Sequence, residues 1–477
     1  MNRRIALAAF LVALSSAAGA QAAGTAPKKK SLPVAEAENV SFQSPKWSVT
    51  LQGAEEAVLR RSPSVAAAKF DRLSAEKSAA AQETSLLPQV GADGYLKYID
   101  QLSTMSILPG HPIVMGEHQN WSAGLSASWT VWDWGSLRSA WKSAGAVTSQ
   151  KSEALRLTQR QALLAVRSAY LQVRLAREQV RLLGDSLLLA QSQQKDVEAR
   201  VEAGTAGQLD LSSARQETLS RRRGLREARA SLAGSLRDLA DLTGESPTAD
   251  PSLPLDEVTA AKPPQDIDKP TLILEMEPEE TVRGRLTEAL PALELSLKNS
   301  AAQPQIQQWT DAVEAARRQA SSAKASMLPK IQVTGRASYD YPNQFAPVTV
   351  QQNTAMVSAS MPIFDWGRSL KQASAAKAQA DAAEARRAQA QADWERDLAK
   401  ADDQYKALQD EAALDHQSSV EADDFAKLVR DSYRAGRSTY LEVESADLKS
   451  LQAQVQSART HVQVLLQAAV LKSLTTD

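Results

Sequence analysis

Residues 121–131 alternate apolar and polar without a miss. Trp121, Ala123, Leu125, Ala127, Trp129 and Val131 share one parity; Ser122, Gly124, Ser126, Ser128 and Thr130 share the other. A period of two predicts a strand with one apolar and one wet face. Three more stretches repeat the pattern. Val90, Ala92, Leu96 and Tyr98 oppose Gln89, Asp93 and Lys97; Ile331, Val333, Ala337 and Tyr339 oppose Gln332, Thr334, Arg336 and Ser338; Ala355, Val357 and Ala359 oppose Thr354, Ser358 and Ser360.

A second period governs the longer segments. Ala162, Val166, Ala169, Val173, Ala176, Val180, Leu183, Leu187 and Ala190 step 4, 3, 4, 3, and Val197 and Val201 continue the seam. That is a coiled-coil repeat. Leu164, Leu171, Leu175, Leu182 and Leu189 form a second row on another flank, so neighbours are expected on both sides. No proline lies between Pro112 and Pro247 or after Pro362, and Gly436 is the only glycine beyond Gly367. Residues 136–203 and 368–435 are therefore predicted as long helices, each about 100 Å at 1.5 Å per residue. Gly204, Gly207 and Gly436 mark the turns. Half-length return helices follow at about 208–243 and 440–474, and half-length helices precede the strands at about 51–87 and 287–328.

The chain states this plan twice. "WDWG" at 132–135 returns as "FDWG" at 364–367, and "VEAGTAGQLDL" at 201–211 returns as "YRAGRSTYLEV" at 433–443, both at an offset of 232. The aspartate in each Asp-Trp-Gly element suits the start of the long helix, and the glycine eases the bend from strand to helix. The organisation expected is a signal peptide at 1–22, an N-terminal extension at 23–50, a first repeat at 51–243, a proline-rich mid-height segment at 244–286 with a short strand at "TLILEM", and a second repeat at 287–477. The fold class expected is mainly α with a small β part.

The opening "MNRRIALAAFLVALSSAAGAQAAG" has the three-part form of an export signal. No later run is long and apolar enough for a membrane helix. Strands of about ten residues with opposed faces suit an outer membrane barrel wall. Trp121 at one border and Trp129, Trp132 and Trp134 at the other, with Phe364 and Trp366 in the second copy, are candidate membrane-interface aromatics. A small soluble sheet in a helical domain is the other reading. In lipid, four strands leave open edges, so copies must join; two copies give eight strands and three give twelve. Asp93, Lys97 and Arg336 would then face water.

The 477 residues carry a net charge of -1, which excludes nucleic acid as a main partner. With no cysteine and four scattered histidines, no metal cage and no cofactor site is expected. Met105, His111, Met115 and His118 cluster in the first hairpin loop, more simply a variable loop than a soft-metal site. "RRRG" at 221–224 reads as a solvated helix face. No phosphate-binding loop, nucleophile elbow or zinc-binding helix motif occurs, so no enzyme is expected.

In its doubled plan, in "LQGAEEAVLRRSPSVAAA" before the first strand, in "WDWG/FDWG", and in the "AG…LD" and "AG…LE" turns, the chain resembles the TolC-like outer membrane efflux proteins. The resemblance implies a homotrimer with a twelve-stranded barrel in outer membrane lipid and a helical tunnel through the periplasm. It implies a passive export duct served by a periplasmic adaptor and an inner-membrane transporter or secretion ATPase. It makes Gly204, Thr205 and Ala206, with Gly436, Arg437 and Ser438, the periplasmic tips that touch the adaptor. It makes Glu442, with Asp210 and Glu444, candidates for an acidic entrance ring. A periplasmic coiled-coil adaptor or tether without a barrel is the alternative.

Overall fold

The computed structural model describes residues 46–108, 111–244, 273–288, 290, 296–297, 299–343 and 346–476; the expected signal peptide lies outside them. The chain opens with strand β1 (Lys46–Val49) and helices α1 (Leu51–Arg61) and α2 (Pro63–Thr84). Strands β2 (Gln89–Tyr98), β3 (Ser103–Leu108), β4 (His111–Met115) and β5 (Gln119–Trp132) follow. The first long helix is α3 (Ser136–Glu202), and α4 (Gln208–Thr243) returns beside it. The second half runs β6 (Ile273–Met276), α5 (Glu279–Thr287), α6 (Pro304–Ala325), β7 (Lys330–Tyr341), β8 (Val350–Ser360), α7 (Arg368–Arg434) and α8 (Tyr440–Thr475).

Both long helices have 67 residues, as the absence of proline predicts. The helix expected over 51–87 is instead two, because Pro63 has no N–H to continue the ladder and takes the first position of α2. Likewise α6 begins at Pro304 rather than near 287.

Both rows of α3 find partners. Helices α2, α4, α6 and α8 all pack against α3. From the first row Val166, Val173, Leu187 and Val197 are buried, and from the second Leu171 and Leu182; Leu189 stays partly exposed. Helix α7 packs on α6 and α8. The largest core lies where α1, β6 and α5 cross α3 and α8, around Leu51, Val58, Tyr170, Val282, Leu286 and Leu465. The strand expected at "TLILEM" is β6, and it pairs in parallel with β1, Trp47 opposite Leu274. Neither periodic row marked Arg167, which is 3% exposed and ion-paired to Glu55 across the α1–α3 contact at 2.5 Å.

The four alternating segments form one antiparallel sheet in the order β2-β5-β7-β8. Register keeps the parities together. Val90 pairs with Ala127, Ala127 with Gly335 and Gly335 with Ala355, all from the apolar set; Asp93 pairs with Gly124 and Gly124 with Ser338, from the polar set. Beyond β2 and β5 the loop forms a separate β3–β4 ribbon. Among the described residues no helix is long and apolar enough to cross a membrane.

Candidate functional site: strand-to-helix elbows and helix tips

At each strand-to-helix elbow the tryptophan of Asp-Trp-Gly adopts a left-handed backbone, φ 56° at Trp134 and 55° at Trp366, followed by the glycine at 80° and 75°. A bulky residue there costs about 1–3 kcal/mol and persists only where its surroundings enforce it. The aspartate does so. Asp133 accepts from the backbone N–H of Gly135 at 3.0 Å and of Leu137 at 2.6 Å. Asp365 accepts from the Ser369 hydroxyl and from the Ser369 backbone N–H, the latter at 2.9 Å, and these bonds hold its carboxyl below the usual aspartate range. The turn throws the aromatics outward: Trp132 meets Trp134 edge-on at 5.8 Å, and Phe364 meets Trp366 at 4.9 Å. Trp366 is 85% exposed. Trp129 lies at the same end of the sheet and donates to the Leu86 carbonyl at 3.0 Å. Trp121 lies at the other end and stacks on Tyr341.

The far ends of the long helices close with one motif used twice. Gly204 (φ 73°) and Gly436 (φ 72°) occupy the left-handed position that ends a helix. Thr205 N–H returns to Arg200 C=O at 2.8 Å, and Arg437 N–H to Ser432 C=O at 2.9 Å. The two turns sit side by side. The Arg200 guanidinium lies 4.9 Å from the centre of the Tyr433 ring, and Tyr433 meets Tyr440 edge-on. Just above, Asp447 accepts from both Arg430 and Gln193, at 2.6 and 2.7 Å. Sequence reading missed these residues for a specific reason. Tyr433 and Tyr440 stand where the first copy has Val201 and Gln208, so the repeat itself hides them.

The three acidic candidates have different surroundings. Glu442 forms a capping box at the start of α8: it accepts from Thr439 N–H at 2.9 Å, and its own N–H donates to the Thr439 hydroxyl. Asp210 sits in the first turn of α4, partly exposed. Glu444 is half-buried, and burial and the charge of Glu217 push its carboxyl up. Arg221 corrects the reading of "RRRG" as a wholly solvated face: it is 8% exposed and ion-paired to Glu217, whereas Arg223 is solvated. Of the loop group, the side chains of Met105, His111 and Met115 lie outside the described residues. His118 is engaged locally, its Nδ1 2.8 Å from the Ile99 carbonyl and its ring stacked on Tyr98. Among the described residues no cluster of histidine and carboxylate side chains could hold a metal ion.

The family model for outer membrane efflux proteins matches residues 56–245 and 295–476, one span in each copy of the plan. The chain belongs to the outer membrane efflux protein family. No curated protein matches it in sequence. Solved structures match along nearly the whole fold. CusC superposes with a TM-score of 0.73 at 18% identity, over 93% of this chain and 96% of that one. VceC from Vibrio cholerae gives 0.71 at 17% identity, over 89% and 95%. The MtrE channel of Neisseria gonorrhoeae gives 0.68 at 20%, over 89% and 88%. This efflux protein is an outer membrane export duct with a large helical part in the periplasm. The reading as a soluble adaptor is set aside by that membership.

Proposed function

We propose that the duct is a homotrimer whose twelve strands close one barrel, and that it conducts passively, without catalysis. The observation that carries this is the sheet itself. It has one apolar face, and in the protomer β2 and β8 each pair on one side only. Unpaired edges cannot stay in lipid, where each orphaned backbone group costs several kcal/mol. With four antiparallel strands, β8 of one copy meets β2 of the next in antiparallel sense, so closure repeats the internal pattern. Eight strands would leave an interior filled by side chains, whereas twelve leave a lumen. The helices support joining too, since Phe70 on α2, Leu219 on α4, and Leu414, Phe425 and Leu428 on α7 are exposed. The exposed aromatics of the elbows belong at the lipid interface, where a ring with a polar edge is favoured.

The tips, Gly204–Ala206 and Gly436–Ser438, are the docking end for a periplasmic adaptor, which couples the duct to an inner-membrane transporter or secretion ATPase. Glu442 is the candidate for the acidic entrance ring, because it is exposed beside the second tip. Glu444 is turned toward Glu217 and contributes less. Extraction from envelopes tests the assembly: the protein should require detergent and run as a heat-labile trimer, and a soluble monomer would refute it.

A further inference from the structure

The polar face of the sheet carries a charge network that the export reading does not use. Arg336 on β7 reaches over the intervening strand β5 to Asp93 on β2, its Nη2 2.7 Å from the carboxylate. The same nitrogen donates to the Ser122 hydroxyl at 2.9 Å. Ser122 in turn donates to Asp340, whose other oxygen accepts from Ser338 at 3.0 Å. The crossing has a free path because Gly124, paired with both Asp93 and Ser338, has no side chain to block it. Ser122 and Ser338 are buried, 3% and 4% exposed. Arg336 and Asp93 thus share the middle of the face, with Asp340 toward its loop end beside Tyr341. The remaining cations are at its ends: Lys97 opposite Asn120 near the loops, Lys330 opposite Ser360 near the helices.

We propose that Arg336 sets the ion selectivity of the barrel lumen, keeping its middle near neutral so that anionic as well as cationic solutes pass. The inference rests on the trimeric barrel proposed above. There, the loss of Arg336 would leave Asp93 and Asp340 of every copy facing a shared aqueous axis with no guanidinium between them. Carboxylate rings of this kind favour cations.

Reversal potentials of the purified full-length channel in a KCl gradient test the assignment. For a lumen radius on the order of 10 Å at about 0.1 M salt, three lost charges should raise the potassium-to-chloride permeability ratio of R336Q about fourfold. R336K keeps the charge and should stay near wild type. D93N should shift the ratio toward chloride, which keeps the test alive if R336Q assembles poorly. In about 1 M salt the differences should collapse, because the screening length falls to about 3 Å. Wild-type conduction is established first, so a flat result for both R336Q and D93N counts against Arg336 and not against the export reading. R336K behaving like R336Q would likewise overturn the assignment, because the effect would then be one of shape.

Discussion

Gly124→Ala tests the β5–β7 junction at a single atom. A Cβ at this position would lie 2.6 Å from Ser338 Cβ, 2.7 Å from the Ala337 carbonyl oxygen and 2.9 Å from Ser338 Cα. Two of those three are backbone atoms, so no rotamer change relieves the clash. The strands would have to part by roughly 1 Å, more than ladder hydrogen bonds near 2.9 Å tolerate intact. Overpacking of this kind costs about 1–3 kcal/mol. The reduced freedom of the unfolded chain returns about 0.4–1 kcal/mol. The net is a loss of about 1–2 kcal/mol per chain. Gly91→Ala is the matched control, since its Cβ would meet only the Ser126 hydroxyl, at an ordinary 3.8 Å. The assay is the temperature at which the detergent-extracted oligomer loses its compact electrophoretic mobility. Gly124→Ala should lower it by about 1–2 °C while Gly91→Ala leaves it in place. Equal behaviour of the two variants would refute the packing argument.

Three further outcomes follow from other parts of the molecule. Trp394 is 1% exposed, and its Nε1 donates to the Leu474 carbonyl at 3.1 Å, tying the end of α8 to α7. Trp394→Ala should cost about 3–5 kcal/mol and Trp394→Phe about 1 kcal/mol, read as amide exchange in the last turns of α8. Glu279 is held at a pKa of about 2 by the His461 imidazole against its carboxylate and by Arg174. Its folded value is depressed, so its contribution is present above about 4.5 and fades as pH falls toward 2. The group is 40% exposed, so solvent screening limits the effect to about 1 kcal/mol. Amide protection of α5 should weaken over that window in wild type and stay flatter in Glu279→Gln; a parallel decline in both would dismiss the ion pair. At the entrance, Glu442→Gln removes the charge but keeps an acceptor for Thr439 N–H. It should weaken block by multivalent cations in bilayer recordings without loosening α8, and unchanged block would remove Glu442 from the ring.

Periodicity made much of this fold legible. The 3.5-residue seam of α3, the absence of Pro from both long helices and the glycines at their ends located α3 and α7 to within a residue, and the strict parity of 121–131 placed β5. Asp133 and Asp365 were readable as helix-start residues because a short acceptor near a helix start has few other uses. What stayed hidden depended on distant chain. Strand β1 is only "KWSV", and it becomes a strand because β6, more than two hundred residues away, offers a parallel edge. The ion pair of buried Arg167 with Glu55 gives no local signal, since each residue alone reads as a solvated helix charge. Arg336 was visible as a polar-face cation, but its reach to Asp93 requires β2, β5 and β7 in register. The tip aromatics Tyr433 and Tyr440 were masked by apolar and amide counterparts in the first copy.

Sheet edges left open in one chain are closed by its neighbours in the proposed trimer, and cysteine cross-linking tests this directly. The native sequence has no cysteine, so every bridge reports a placed pair. Val90→Cys or Ala92→Cys on β2 would be combined with Ala355→Cys, Val357→Cys or Ala359→Cys on β8 and oxidised in intact outer membranes. Covalent dimers and trimers, and no larger species, are expected for the pairs in register. Bridges formed only within single chains, or no bridge at any pair, would contradict it.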